Sequence, residues 1–276
     1  MTVSHDRCGV VIVGVNKGAD IKATRTADSV KKHMPDVHIT LFTDQPIWAN
    51  IPSIDRIVRI PSRSDEPSLK DANQTPDQGI AAKMTYIHKC DYEYTLYLDY
   101  DIYITDSVWE IFDALECGGF DLALTQYQFH ECNYTEIPCF PYYNAGMLAW
   151  KKNKNTDEFF RIWWNKYLES SAGGSACFDE IALQKVLFEY KKLRYLALPL
   201  EYNFRPLFPG VIGCNIKIVH GIPARYRLKG ISELSDKING SNNKTIRVIY
   251  EDAILATYSH EGVFTMDKQS CERWIK

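Results

Sequence analysis

The chain lacks two features that would assign it to a membrane or to nucleic acid. None of its apolar runs approaches the roughly 20 residues that a membrane-spanning helix needs. Its net charge of -3 argues against a nucleic-acid surface, which carries a basic stripe. The apolar stretch 9–15 is too short for a signal peptide and is typical of a first strand. We therefore expect a cytoplasmic protein that binds no nucleic acid, and a peripheral association with a membrane stays open.

The chain also lacks paired cysteines, because its 8 cysteines are scattered rather than set at short, fixed spacings. This usage is typical of reduced thiols inside a cell. The local cluster of His130, Cys132 and Cys139 fits no standard zinc spacing. A zinc site there, or a disulfide between Cys132 and Cys139, stays open as an alternative.

What the chain does have is enough apolar sequence for a large core, since 45% of its residues are hydrophobic. Residues 10–15 form a continuous apolar run, as in a strand buried on both faces. A helix follows and ends at Pro35, with an apolar face made of Ala23, Ala27, Val30 and Met34. A second strand at 37–42 completes a β-α-β unit. This order predicts an α/β protein with a mostly parallel, nucleotide-binding type of sheet.

The pattern changes twice along the chain. Residues 61–79 are polar, contain three prolines and lack periodicity, which predicts a long loop that can act as a flap. Beyond about residue 230 the apolar patterning weakens. We therefore expect one domain at 1–230 and a C-terminal extension at 231–276 packed on it.

Two carboxylates follow a strongly apolar strand. The run 94–98 is rich in strand formers and leads into Asp99 and Asp101. Side chains alternate along a strand, so these carboxylates project to the same side and repel each other unless a cation lies nearby. Oxygen ligands suit Mg²⁺ or Mn²⁺, which are often shared with substrate phosphates. The pair therefore predicts a metal that holds a phosphorylated substrate, with an acidic turn as the alternative.

A histidine closes a later strand. The strand is predicted at 216–221 and ends in His220 and Gly221. Such a histidine is often only a hydrogen-bonded structural residue. Together with Asp99 and Asp101, however, its imidazole can be the third ligand of Mn²⁺.

Six short motifs carry a resemblance to a known family. They are Leu41-Phe42-Thr43-Asp44, Lys83, Leu96-Tyr97-Leu98-Asp99-Tyr100-Asp101, Asn144-Ala145-Gly146-Met147, Asp179-Glu180 and Lys217-Ile218-Val219-His220-Gly221. In this order, over roughly residues 10–225, the sequence resembles the metal-dependent nucleotide-sugar glycosyltransferases of GT-A fold. It is most similar to their retaining branch, which is related to glycogenin and bacterial galactosyltransferases (family 8). The resemblance implies a Rossmann-like, mostly parallel sheet flanked by helices.

The resemblance also implies roles for individual residues. Asp99, Asp101 and His220 would bind Mn²⁺ or Mg²⁺, which bridges the donor diphosphate. Asp179 and Glu180 would act as catalytic residues on the transferred sugar. Contacts with the nucleotide sugar would come from Val13, Gly14, Val15, Asn16, Asp44, Lys83, Asp99, Tyr100, Asn144, Ala145 and Gly146.

Structural alternatives exist for several of these residues. Lys83 can be a solvated helix lysine, and Asn144 can be a turn residue before a strand at 147–150. Asp179 and Glu180 can simply begin a helix, where acidic residues are favoured.

The sequence departs from the family pattern in two places. The usual lysine after His220 is missing, and Arg225 or Arg227 would replace its charge against the leaving diphosphate. The acidic pair ends in Glu180 where glutamine is more familiar. The identity of the sugar and the stereochemical outcome are therefore left open.

The activity implied by the resemblance is transfer of a sugar from a nucleotide-diphosphate sugar, expected to be UDP-linked. The acceptor would be a glycan, a lipid or a protein, and the anomeric configuration would be retained. One alternative is a sugar-phosphate nucleotidyltransferase, but residues 13–20 lack the glycine-rich, arginine-containing loop of that class. The other is a catalytically silent binding module, against which the intact Asp99, Asp101 and His220 argue.

Overall fold

The computed structural model describes nine segments of the chain. They are residues 2–45, 51–61, 78–128, 140–171, 179–221, 231–240, 245–250, 253–259 and 264–267. The strands are β1 (Cys8–Gly14), β2 (His38–Thr43), β3 (Arg56–Arg59), β4 (Tyr94–Asp99), β5 (Ile102–Ile104), β6 (Leu122–Gln126), β7 (Tyr143–Lys151), β8 (Tyr195–Leu198), β9 (Gly210–Ile212), β10 (Ile218–His220), β11 (Thr245–Tyr250), β12 (Ala253–Ser259) and β13 (Phe264–Met266). The α-helices are α1 (Ala19–His33), α2 (Gln78–Tyr86), α3 (Trp109–Gly118), α4 (Lys154–Ser171), α5 (Asp179–Glu189) and α6 (Ile231–Asn239).

Seven strands form the central sheet, in the order β3-β2-β1-β4-β7-β6-β8. All neighbours are parallel except β7, which runs antiparallel to both β4 and β6. The strand order reverses between β1 and β4, because the chain continues from β1 to β2 on one side and later inserts β4 on the other. Such a reversal opens a crevice at the carboxyl ends of the strands, where open α/β sheets bind ligands.

Helices cover both faces of this sheet, and β1 shows why. All of β1 is buried, and its side chains alternate between two cores. Val10 and Ile12 pack with α1 and α3, whereas Val11 and Val13 pack with α2, α4 and α5. A strand buried on both faces reads as a continuous apolar run. The predicted α/β class and mostly parallel sheet are confirmed.

A second, smaller sheet has the strand order β13-β12-β11-β9. The helix α6 packs on it through Leu234 and Ile238, in a cluster that also contains Val219 of β10. The C-terminal strands therefore share a sheet with β9, which precedes residue 230. Residues 222–230, where the predicted domain boundary falls, lie outside the described segments.

One further sequence prediction is wrong, and two others cannot be compared with the described residues. The strand β7 begins at Tyr143, so Asn144, Ala145 and Gly146 lie inside it and not in a turn before it. Most of the predicted 61–79 loop and the whole His130, Cys132 and Cys139 cluster fall outside the described residues. No helix in the described segments is long and apolar enough to cross a membrane.

Candidate active site

The candidate site lies where β1 and β4 end and β7 begins. Because β7 runs antiparallel to β4, its first residues meet the last residues of β4 at the same edge of the sheet. Val13 of β1 pairs with Asp99 at the end of β4, and Leu98 pairs with Met147 of β7. The motif Asn144-Ala145-Gly146 is thereby placed next to the first aspartate.

Three metal-ligating side chains converge at this edge. His220 ends β10, which pairs with β5 directly after the two aspartates. The His220 Nε2 atom lies 3.7 Å from Asp99 Oδ2 and 3.5 Å from Asp101 Oδ1. One ligand atom from each of the three residues lies within 4.8 Å of the others. Burial lowers the pKa of His220 despite the charges of both aspartates, so its imidazole is neutral and can accept a cation.

This donor set suits a hard divalent cation. Two carboxylates and a neutral imidazole fit Mg²⁺ or Mn²⁺ better than soft metals, which favour thiolates. Both aspartate side chains are partly exposed, at 28% for Asp99 and 42% for Asp101. A bound ion therefore keeps positions open for ligands from a substrate.

Gly146 makes room for the cluster. A Cβ atom on Gly146 would clash with His220 Cε1 and lie 2.8 Å from Asp99 Oδ2. Any side chain at this position would therefore displace two of the three candidate metal ligands. The glycine of the Asn144-Ala145-Gly146 motif is required by close approach and not by a turn.

Lys83 is buried beside this cluster, with only 7% of its surface exposed. Its Nζ atom lies 2.9 Å from Asp179 Oδ2 and 3.5 Å from Asp99 Oδ1. Burial alone would lower the pKa of Lys83, but the charges of Asp179 and Asp99 outweigh it and raise the pKa. The alternative of a solvated helix lysine is therefore wrong, and Lys83 is a fixed cation between two carboxylates.

Asp179 and Glu180 begin α5 and face the same crevice. The carbonyl oxygen of Asp179 accepts a 2.9 Å hydrogen bond from Trp163 Nε1, which anchors the helix start on α4. Glu180 Oε1 accepts a 2.8 Å hydrogen bond from Asn144 Nδ2. Burial, followed by the charge of Asp179, raises the pKa of Glu180 to about 8, although Lys83 opposes the shift. Glu180 is therefore a protonated carboxyl group at neutral pH.

The predicted nucleotide-contacting residues lie at the ends of β1 and β2. The backbone N–H of Asn16 donates a 3.1 Å hydrogen bond to Asp44 Oδ1, which joins the two loops. Asn16 has a φ of 76°, a left-handed conformation that asparagine tolerates better than most residues. Val15, the residue before Asn16, is buried in the same core cluster as Val13 and Phe42. Tyr100 lies in the turn after β4, and its ring centre is 5.0 Å from Lys22 Nζ.

Two residues of the site were missed by the sequence analysis. Asn203 is buried between Asn144 and His220 and is hydrogen-bonded to both. Arg205 follows it, with its guanidinium 4.9 Å from the ring centre of Tyr127 and 4.8 Å from that of Phe208.

Arg205 belongs electrostatically to the cluster. Burial lowers the pKa of Arg205, and the charges of Asp101 and Asp99 oppose that shift. Arg205 is therefore a cation close to the candidate metal ligands. Arg225 and Arg227, predicted for a related role, lie outside the described residues. Asn203 and Arg205 follow a short 3-10 helix at Leu200–Tyr202, and no periodicity in the sequence marks them.

Comparison with known proteins identifies the fold. No protein-family model matches the sequence, and no curated protein matches it. Solved structures do match. A crystal structure of the galactosyltransferase LgtC with donor and acceptor sugar analogs is 16% identical, with a TM-score of 0.56 over 78% of this chain and 87% of LgtC.

A second match is a crystal structure of an active-site mutant of LgtC in which a glutamine is replaced by glutamate. It is 17% identical, with a TM-score of 0.53 over 72% of this chain and 75% of that one. At these identities the likeness defines the fold alone. The GT-A-type fold predicted from the sequence is confirmed.

Proposed function

We propose that this chain is a metal-dependent glycosyltransferase that uses a nucleotide-diphosphate sugar, with a UDP-sugar as the expected donor. The observation that carries the proposal is the convergence of Asp99, Asp101 and His220 at the crevice of a sheet with the fold of a galactosyltransferase. The sugar would pass, with retained configuration, to a hydroxyl group of a glycan, lipid or protein acceptor.

The donor would lie across the ends of β1 and β4. Asn16 and Asp44 would meet the nucleoside, and the hydrogen bond that joins their two loops supports this assignment. Asp99, Asp101 and His220 would hold Mn²⁺ or Mg²⁺, which neutralises the charge of the diphosphate when it is bound. Among the described residues, Arg205 would replace the missing family lysine by offsetting the negative charge of the leaving diphosphate. Arg225 remains a candidate for the same role.

The sugar would face the start of α5 and β7. A protonated Glu180 can donate a hydrogen bond to a sugar hydroxyl, as the amide of a glutamine would. The Asp179 carboxyl group pairs with Lys83 at 2.9 Å, and a negative charge fixed there would stabilise the positive charge that develops on the sugar in glycosyl transfer. A retaining transfer of this kind needs no strong protein nucleophile, because the acceptor attacks from the face that the diphosphate leaves.

A thermal-shift panel of nucleotide sugars, each with Mn²⁺ and with a chelator, tests the proposal. A ligand that binds the folded state raises its unfolding temperature, so one donor should give a shift that needs the metal. Asp101→Ala should abolish this shift and leave the unligated protein folded. Asp28→Ala, which removes an exposed carboxylate from α1, is the matched control and should keep the shift.

Turnover is measured next with the donor that binds. Release of the nucleoside diphosphate on addition of acceptor hydroxyls supports the enzyme, and the anomeric configuration of the product is read by NMR. Metal-dependent binding without any release would favour the silent binding module. A shift that persists in chelator and in Asp101→Ala would contradict the role of the three ligands.

A further inference from the structure

A series of hydrogen bonds through the side-chain amides of Asn144 and Asn203 connects the start of β7 to His220. The direction of the first hydrogen bond, from donor to acceptor, is fixed by a backbone N–H. The backbone N–H of Gly146 can only donate, and it lies 2.8 Å from Asn144 Oδ1. This bond defines which side-chain atom of Asn144 is the oxygen. The nitrogen of the same amide then faces the Glu180 carboxyl at 2.8 Å, which agrees with the assignment from the other end.

The assignment of Asn144 also fixes the direction of its hydrogen bond with Asn203. Asn144 Oδ1 accepts a second hydrogen bond, of 2.7 Å, from the Asn203 side chain, so the Asn203 atom in this contact is Nδ2. The other end of the Asn203 amide is then the oxygen, which lies 3.0 Å from His220 Nδ1. A carbonyl oxygen can only accept, so His220 Nδ1 must carry the proton.

The tautomer of His220 decides whether it can bind a metal. A neutral imidazole has one protonated and one bare nitrogen, and the partner of the first nitrogen selects which is which. With the proton on Nδ1, the bare Nε2 faces Asp99 and Asp101 at 3.7 and 3.5 Å. Without the Asn203 carbonyl, the proton can occupy Nε2 and block the ligand position.

We infer that Asn203 is a positioning residue that fixes the Nδ1-protonated tautomer of His220 and thereby prepares the Asp99, Asp101 and His220 cluster to bind a divalent cation. Asn203 is 2% exposed and Asn144 is 3% exposed, so water does not compete for these bonds. The same amide holds Asn144 in the orientation that donates to Glu180. The metal part of the inference rests on the proposed function, whereas the tautomer follows from the hydrogen bonds alone.

Two substitutions distinguish the hydrogen bond that Asn203 makes with His220 from the one that it makes with Asn144. Asn203→Ala removes both hydrogen bonds. Asn203→Asp keeps an oxygen acceptor for His220 Nδ1 and loses the donor to Asn144. Asn239→Ala is the matched control, because Asn239 bonds the backbone N–H and carbonyl of Ile216, each at 2.9 Å, in the segment that leads into β10. It loosens the same segment without touching the imidazole.

The readouts are the tautomer of His220 and the affinity for Mn²⁺ alone. Proton–nitrogen correlation spectra of the imidazoles report the tautomer, and the electron paramagnetic resonance signal of free Mn²⁺ reports binding. In Asn203→Ala we expect a mixed or Nε2-protonated His220 and a loss of Mn²⁺ affinity of about tenfold or more, as is typical for partners of metal-binding histidines. In Asn203→Asp and Asn239→Ala we expect the wild-type tautomer.

An unchanged tautomer in Asn203→Ala would overturn the inference, as would an Asn239→Ala spectrum that changes in the same way. If Asn203→Ala does not fold, Asn203→Asp decides, because a proton on Nε2 in that variant contradicts the argument. A wild-type protein that binds no Mn²⁺ would instead count against the metal in the proposed function, and the tautomer would still be read.

Discussion

Replacing Glu180 by glutamine should stabilise the metal-free protein at neutral and basic pH. Burial and the neighbouring charge of Asp179 raise the pKa of Glu180 from 4.5 to about 8. Asn144 donates a hydrogen bond to Glu180 Oε1, and a backbone hydrogen bond from Ala145 opposes the rise in pKa without cancelling it. A glutamine has the same shape, accepts at one end and donates at the other, and never ionises.

The size of the effect follows from the two pKa values. Below pH 4.5 the carboxyl is protonated in both the folded and the unfolded chain, so pH has no effect through this group. Between pH 4.5 and 8 the unfolded chain loses the proton and the folded chain keeps it, so folding takes up a proton. The free energy of unfolding of the wild type then falls by about 1.4 kcal/mol for each pH unit relative to the glutamine variant. Above pH 8 the difference becomes constant.

Urea unfolding of both proteins, in chelator, at several pH values across this window measures the difference. Glu189→Gln serves as the control, because Glu189 is an exposed residue on the same helix and its pairing with Lys166 at the surface contributes at most about 1 kcal/mol. A Glu180→Gln advantage that grows from about pH 5 to pH 8 supports the argument. The argument would be refuted if the difference in free energy of unfolding between Glu180→Gln and the wild type did not change with pH, or if it shifted in favour of the wild type as pH rises.

Three further substitutions test other parts of the site and its support. Gly146→Ala should weaken Mn²⁺ binding by about tenfold or more, because its Cβ intrudes on the metal ligands; Gly14→Ala, whose Cβ would have 3.5 Å to its nearest neighbour, is the control in the same resonance titration. Lys83→Met should lower the free energy of unfolding by about 3 kcal/mol, because Asp179 is left as a buried charge without its cation; urea unfolding in chelator checks it, and an unchanged midpoint would contradict the pairing. Arg247→Leu should cost about 2–3 kcal/mol, because the fully buried guanidinium donates to the carbonyl groups of Ile238 and Cys214; a loss below 1 kcal/mol by the same unfolding assay would argue that water replaces those bonds.

The parts of the site that sequence predicts well are those set by local alternation. The apolar run of β1 gives a strand buried on both faces. Alternation along a strand predicted that Asp99 and Asp101 face the same side, and their side chains do converge. The structural reason differs, because Asp99 ends β4 whereas Asp101 lies in the turn before β5. His220 could also be predicted, since it closes a short apolar strand. The strand positions needed only local sequence, whereas the grouping of His220 with the aspartates came from the resemblance and, in the structure, from the pairing of β10 with β5.

The parts that sequence did not predict depend on contacts between distant elements. Asn203 bonds Asn144 and His220, and nothing near Asn203 in the chain signals either partner. Arg205 is similar, because its relation to the aspartates arises only when β10 lies beside β5. The sheet of β9 with β11 also pairs strands from separate regions of the chain, so weak patterning after residue 230 concealed its order.

The pairing of β10 with β5 has a consequence for folding kinetics. It brings His220 to the aspartates across a long stretch of chain, and contacts between distant residues form late because they close large loops. We therefore expect the three ligands to come together after the folding barrier has been crossed. Mn²⁺ should then slow unfolding and leave the refolding rate unchanged, so a bound ion would act on the lifetime of the native protein and not on how fast it is reached.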